Sequence, residues 1–119
     1  MTNILAWSLF ALGIGHIIYG LVKFREPVTE AVAEGFVNKF KTPEVRRTAL
    51  WFLMFGFLLI FAGNTAIHAV TNTDLPLLRL VGFYLFATSL VGLAALPKSP
   101  FLVGAILSPL LIAASYGLF

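Results

Sequence analysis

The chain is predicted to be an all-α membrane protein, an up-down bundle of four transmembrane helices with an amphipathic cytoplasmic helix between spans one and two. Three observations carry this prediction. Of the 119 residues, 60% are hydrophobic and only 11% charged, whereas a soluble domain carries roughly 45–50% apolar and about 25% charged residues. The apolar residues gather into four runs of about 20, the length that crosses ~30 Å of hydrocarbon. Connections between the last three runs are short, so those helices are antiparallel neighbours. One domain covers 1–119, with spans expected over 4–22, 48–70, 77–96 and 101–119 and an interfacial helix over 27–40. Helix is the expected form because an open strand would leave backbone groups unpaired in lipid.

Taken in order, the first run, Ile4 to Val22, follows Met1-Thr2-Asn3, which has no positive region and no small-x-small cleavage site. It is read as a mature span rather than a signal peptide. In the long connection, Glu26-Pro27 can start a helix, with Val28, Val32, Phe36 and Phe40 as an apolar row and Glu30, Glu34 and Asn38 as a polar one. This pattern suits a helix at the membrane interface or over the mouth of the bundle, and Gly35 weakens it. Glu30 and Glu34 are read as a solvated face. Thr42-Pro43-Glu44 reads as N-cap, N1 and N2 of the second span's helix. Thr73 or Asp74 can cap the third, with Pro76 in its first turn, and Ser99-Pro100 gives the fourth a similar start. Pro109 is expected to kink the fourth span. Ala11-x-x-x-Gly15, Ala62-x-x-x-Ala66, Gly104-x-x-x-Ser108 and Ala113-x-x-x-Gly117 are spacings that let helices approach closely.

Lys and Arg positions orient the chain. Lys23, Arg25, Lys39, Lys41, Arg46 and Arg47 lie in or beside the first connection and Lys98 in the third, against Arg79 alone on the other side. The positive-inside rule places the first and third connections in the cytoplasm and both termini outside it. Arg46 and Arg47 are read as membrane-orienting residues. Trp7 and Trp51 fall near opposite interfaces, as an aromatic belt requires. The net charge of +3 therefore reports topology. No basic surface interleaved with stacking aromatics suggests nucleic acid.

The absence of cysteine excludes thiolate metal sites, iron–sulfur clusters and disulfides. No acidic or basic residue lies near the centre of a span, which argues against ion coupling. What remains at lipid depth is a small polar set. His16 lies in the inner half of span one, with Tyr19 one turn further in and Thr88, Ser89 and Ser108 at comparable depth. Asn64 and His68 share a face nearer the outer surface, with Ser8, Tyr84, Ser115 and Tyr116 at similar depth. The two histidines differ in depth by roughly 15 Å, so a shared metal is rejected. No cofactor is expected. His16, Tyr19, Trp51, Asn64, His68, Tyr84, Thr88 and Ser108 are the ligand-binding candidates, and no catalytic set of nucleophile, base and orienter is visible.

Gly13-x-x-His16-x-x-x-Gly20, the charged connection with Gly35, and Arg47-x-Ala49-x-Trp51-Phe52-x-x-x-Gly56 resemble a family of small bacterial four-span membrane proteins of unknown function. The likeness covers the first two spans well and the last two mainly by hydropathy. It implies a bacterial inner-membrane location and raises His16, Arg47 and Trp51 as site candidates without assigning chemistry. The layout is also loosely similar to the four-span sterol-biosynthesis scaffold protein and to DoxX-type membrane proteins, and shared architecture does not imply shared function. The small multidrug transporters have a similar length but need a membrane-embedded Glu in the first span, where this chain offers only His16.

The leading expectation is a non-enzymatic membrane protein that binds a hydrophobic small molecule, a lipid or a partner protein within the bilayer. A homodimer is compatible with the small-residue faces. A small transporter or channel using His16 is the first alternative. A membrane enzyme acting on a quinone or lipid is the second.

Overall fold

The architecture is that of a computed structural model, which describes residues 1–118. Five helices follow one another among them: α1 (Thr2–Lys23), α2 (Arg25–Ala33), α3 (Glu44–Thr71), α4 (Leu75–Ala95) and α5 (Phe101–Ser115). No strand occurs among the described residues. The all-α expectation therefore holds. Three helices, α1, α3 and α4, are long and apolar enough to cross a membrane, while α5 is a shorter apolar helix of 15 residues.

That last point corrects the fourth span expected over 101–119. At ~1.5 Å per residue, α5 is about 22 Å long, short of the ~30 Å hydrocarbon layer. The cause is Gly117. It adopts φ +76°, its N–H reaches the Ala114 carbonyl, and the Leu118 N–H reaches that of Ala113. This 6→1 and 5→2 pair of bonds with a left-handed residue at C′ is a Schellman stop. Gly117 therefore ends the helix and does not extend a packing stripe from Ala113. Phe119, the last residue of the expected span, lies outside the described residues.

Two other helices stop in the same way. α2 ends before Gly35 (φ +111°), with Gly35 N–H on the Val32 carbonyl and Phe36 N–H on that of Ala31. The interfacial helix expected over 27–40 is thus Arg25–Ala33, followed by turns in which Phe36 (φ 68°) and Asn38 (φ 60°) are also left-handed. The apolar row ending at Phe36 and Phe40 does not lie on one helix. α3 ends before Thr73 (φ 53°), with Thr73 N–H on the Val70 carbonyl and Asp74 N–H on that of Ala69.

At the helix starts, Asp74 caps α4, its Oδ1 accepting the Leu77 N–H at 3.1 Å. Glu44 opens α3 after Pro43, whose carbonyl accepts the Arg46 N–H. Ser99 does not cap α5. Its Oγ turns back to donate to the Leu96 carbonyl at 2.6 Å, and Pro100 takes the N-cap position.

The chain divides into two compact units, Ala11–Ile60 on one hand and Met1–Phe10 with Phe61–Phe119 on the other. Within Ala11–Ile60, α1 and α3 meet along a glycine seam. A Cβ built at Gly13 would lie 2.6 Å from Ile60 N and 2.9 Å from Leu59 C, one at Gly20 2.9 Å from Leu53 Cδ2, and one at Gly56 2.5 Å from Ile17 Cδ1. Each step of three or four residues along α1 is answered by an equal step back along α3, so the two run antiparallel in contact. Gly15 has open space around it and Ala11 is exposed. The close approach therefore uses Gly13 and Gly20, not the expected Ala11/Gly15 pair. Phe24, Ala31, Ala49 and Leu59 are buried in this unit.

In the other unit, the Phe10 backbone closes on Gly63, and α4 packs on α5. Gly82 faces Ile112, Ser89 faces Gly104, and Phe101 faces Gly92, the register of an antiparallel hairpin. Its interior holds Leu78 and Leu111 together with Ser89, Ser108 and Ser115. α5 continues through Pro109 to Ser115.

Candidate functional site

His16 occupies the seam of the Ala11–Ile60 unit, and the glycines of the motif around it explain how. Gly56 leaves the space that the imidazole uses, since a Cβ there would stand 3.2 Å from His16 Cδ2. The ring stacks on Phe52, with centroids 3.9 Å apart and an interplanar angle of 13°. Phe55 meets it edge-on at 5.4 Å. Nε2 lies 3.0 Å from the Phe52 carbonyl oxygen. A carbonyl can only accept, so Nε2 is a protonated nitrogen, and in the neutral ring Nδ1 then presents a lone pair. Nδ1 has no hydrogen-bond partner among the described residues. Tyr19 flanks the same aromatic group, its ring 5.9 Å from that of Phe52, and Lys23 Nζ lies 5.7 Å from the Tyr19 centroid. The result is a half-buried imidazole, fixed in angle and tautomer, with one acceptor nitrogen uncommitted.

The other ligand candidates do not converge on it within this unit. Trp51 precedes Phe52 on α3 and is exposed. Thr88, Ser89 and Ser108, proposed partners of His16, belong to the other unit, and the imidazole's hydrogen bond goes to Phe52 instead. Ser108 is fully buried and its Oγ has no hydrogen-bond partner among the described residues. Tyr84 and Thr88 are exposed on α4. Asn64 and His68 are both exposed on α3. His68 is engaged locally: Asn72 Nδ2 donates to its carbonyl at 2.9 Å and stands 3.3 Å from its Nδ1. That places His68 in the finishing turn of α3. Among the described residues no three His, Asp or Glu side chains are placed to hold a metal ion.

Arg46 does more than orient the chain. It is buried, and its guanidinium takes Glu34 in a two-pronged pair, Nη2 to Oε2 at 2.5 Å and Nη1 to Oε1 at 3.2 Å. Nη1 also donates to the Lys39 carbonyl at 3.1 Å, and Glu30 Oε2 lies 3.5 Å from Nη2. Nε is buried without a hydrogen-bond partner among the described residues. The fork geometry suits a guanidinium and would not suit an ammonium. Hydrogen bonding to Arg46 holds the Glu34 carboxyl below the usual glutamate range. Glu30 and Glu34, read as a solvated face, are the acids that tie α2 and its following turns to α3. Arg47 adds a bond to the Lys41 carbonyl at 3.1 Å. The signal was present in the sequence as an i, i+4 acid pair and a double arginine, but their pairing crosses a chain reversal that spacing does not encode.

In the sequence Arg79 stands out only as the lone cation of its side. On the structure it closes the α4–α5 hairpin. Nη2 donates to the Ser115 carbonyl at 3.1 Å, Nε to Ser115 Oγ at 3.3 Å, and the guanidinium carbon lies 3.8 Å from the Tyr116 ring centroid. A cation at a helix C-terminus satisfies end carbonyls and the dipole together.

No curated protein and no solved structure matches the chain. A family model described as "Family of unknown function (DUF6463)" matches residues 1–117, which takes in the His16 seam, the Arg46 cluster and the α4–α5 hairpin. With nearly its whole length matched, the chain belongs to this family of unknown function, DUF6463.

Proposed function

We propose that the protein is a membrane protein that binds a hydrophobic small molecule or lipid carrying a hydroxyl or N–H group, with Nδ1 of His16 accepting its hydrogen bond. The observation that carries this reading is the fixed imidazole whose Nε2 is spent on the Phe52 carbonyl and whose Nδ1 is unspent. Polar groups at lipid depth are costly and tend to mark function, and a ring oriented beforehand loses little freedom when a ligand binds. Phe52, Phe55 and Tyr19 supply the apolar wall such a ligand needs.

The distribution of side chains supports the membrane setting. Trp51 is 68% exposed, Phe61 67% and Tyr84 70%, while Ser108 and Ser89 are 0% and 2% exposed. Large apolar surface outside and small or hydroxylic residues inside is the arrangement expected of helices packing in lipid. The Lys/Arg asymmetry supports placing the connection between α1 and α3 on the cytoplasmic side.

The test compares molecules retained by the purified full-length protein and by His16→Phe, using native mass spectrometry followed by lipid analysis. Phenylalanine keeps the ring stack and removes the acceptor. A hydroxyl- or N–H-bearing apolar molecule kept by the wild type and lost from His16→Phe supports the proposal. Equal retention by both, or none by either, overturns it.

A further inference from the structure

The turns after α2 carry a second surface, separate from His16. From Gly35 to Lys41 the chain reads Gly-Phe-Val-Asn-Lys-Phe-Lys. Val37 is 79% exposed and Phe36 55%, and Lys39 and Lys41 are exposed beside them. This is a held surface, not a loose one. Arg46 and Arg47 grip the Lys39 and Lys41 carbonyls at 3.1 Å each, and Phe36 meets Phe40 edge-on at 5.1 Å. The Schellman stop at Gly35, followed by left-handed Phe36 and Asn38, turns the chain away from the axis of α2 at this point.

The charge balance is as telling as the apolar exposure. Of the flanking acids, Glu34 and Glu30 face Arg46, and the exposed Glu44 opens α3 three residues after Lys41. Between Gly35 and Lys41 there is no acid at all. A small wedge of Phe36 and Val37 followed by the exposed Lys39 and Lys41 matches one kind of surface: apolar just below and negative at its face. We infer that Gly35–Lys41 docks on the anionic headgroup layer of the membrane, with Phe36 and Val37 seated among the upper acyl chains and Lys39 and Lys41 on lipid phosphates. The inference rests on the membrane reading above but not on His16. It also agrees with the side to which the Lys/Arg bias assigns this connection, since the cytoplasmic leaflet bears the anionic lipid.

The test uses the full chain in nanodiscs of phosphatidylcholine alone or of an equimolar mixture with phosphatidylglycerol. Phe36→Trp, in a chain also carrying Trp7→Phe and Trp51→Phe, supplies one indole in the wedge. Its emission is expected to shift to the blue and to be quenched by bromine-tailed lipid in the mixed bilayer, and much less so in phosphatidylcholine. Lys39→Gln and Lys41→Gln are each expected to lower the seated-to-unseated ratio about fivefold in the mixed bilayer. Emission that is the same in both bilayers, or unchanged by the two lysine substitutions, overturns the inference. A second chain with Trp7→Phe alone keeps the lipid-facing Trp51 as reporter of embedding. If Trp51 is quenched in both bilayers while the wedge indole ignores lipid charge, only the docking inference fails. If Trp51 is unquenched, the membrane reading fails and the docking inference with it.

Discussion

Gly13→Ala and Gly15→Ala form a matched pair on α1, two residues apart, with opposite expected outcomes. A Cβ at Gly13 would sit 2.6 Å from Ile60 N and 2.9 Å from Leu59 C, whereas at Gly15 it would meet nothing within 4 Å. Ordinary contact begins near 3.4 Å, so the α3 backbone would have to retreat by about 0.8 Å (3.4 less 2.6) at Ile60. No rotamer change can relieve this, because the nearest atom and the Leu59 carbon are main chain. Overpacking of this kind costs about 1–3 kcal/mol. Both variants gain the same helix-propensity benefit of roughly 0.5–1 kcal/mol on replacing glycine. Their difference therefore isolates the steric cost: Gly15→Ala stabilises slightly, and Gly13→Ala falls below it by about 1–3 kcal/mol. Unfolding titrations in neutral detergent, followed by far-UV circular dichroism, measure both. If the two variants agree within about 0.5 kcal/mol, the spread of ordinary surface substitutions, α1 and α3 do not meet at Gly13 and the seam that positions His16 is misplaced.

Three further outcomes are expected. The depressed Glu34 carboxyl makes its pairing with Arg46 fully available above the ordinary glutamate value of about 4.3 and lost as pH falls through the lower folded-state value. Hydrogen exchange of the 35–41 amides, corrected for intrinsic rate, should then rise on acidification in the wild type and be high and nearly pH-independent over that range in Glu34→Gln. Thr73 holds φ 53° with a β-branched side chain, so Thr73→Gly should raise stability by about 0.5–1 kcal/mol once the relief of the left-handed conformation is set against glycine's extra freedom; Thr73→Ala should not, and the same detergent titration distinguishes them. Arg79→Gln removes the hold on Ser115 and Tyr116. It should destabilise by about 1–2 kcal/mol and speed amide exchange specifically at 113–118.

The two kinds of information in the chain were legible to different degrees. Apolar run length located α1, α3 and α4, because burial in lipid or protein depends on local composition that a window of residues reports. The Asp74 cap was legible for the same reason: its partner, Leu77, is three residues away. The stop at Gly117 was within reach, since glycine after an apolar helix is the usual C′ residue, but the Ala113/Gly117 spacing suggested packing instead. His16 stood out as an isolated polar residue among glycines, yet its attachment to Phe52 across 36 residues depends on the antiparallel register. The same holds for Arg46 with Glu34 and Arg79 with Ser115. In each case the sequence shows a charge or a ring, and only the chain reversal shows what it is for.

The central claim is that His16 presents an unprotonated Nδ1, on a ring locked by Nε2–H to the Phe52 carbonyl, as the acceptor for an apolar ligand. The most direct measurement is the ¹⁵N spectrum of His16 by solid-state magnetic resonance, with the full-length protein in pure phosphatidylcholine and in lipid extracted from the expressing cells. The neutral Nε2–H tautomer is expected in both bilayers, with a shift of the Nδ1 resonance towards hydrogen-bonded values in the cell lipid alone. An Nδ1–H tautomer, or an Nδ1 resonance identical in the two bilayers, would contradict it.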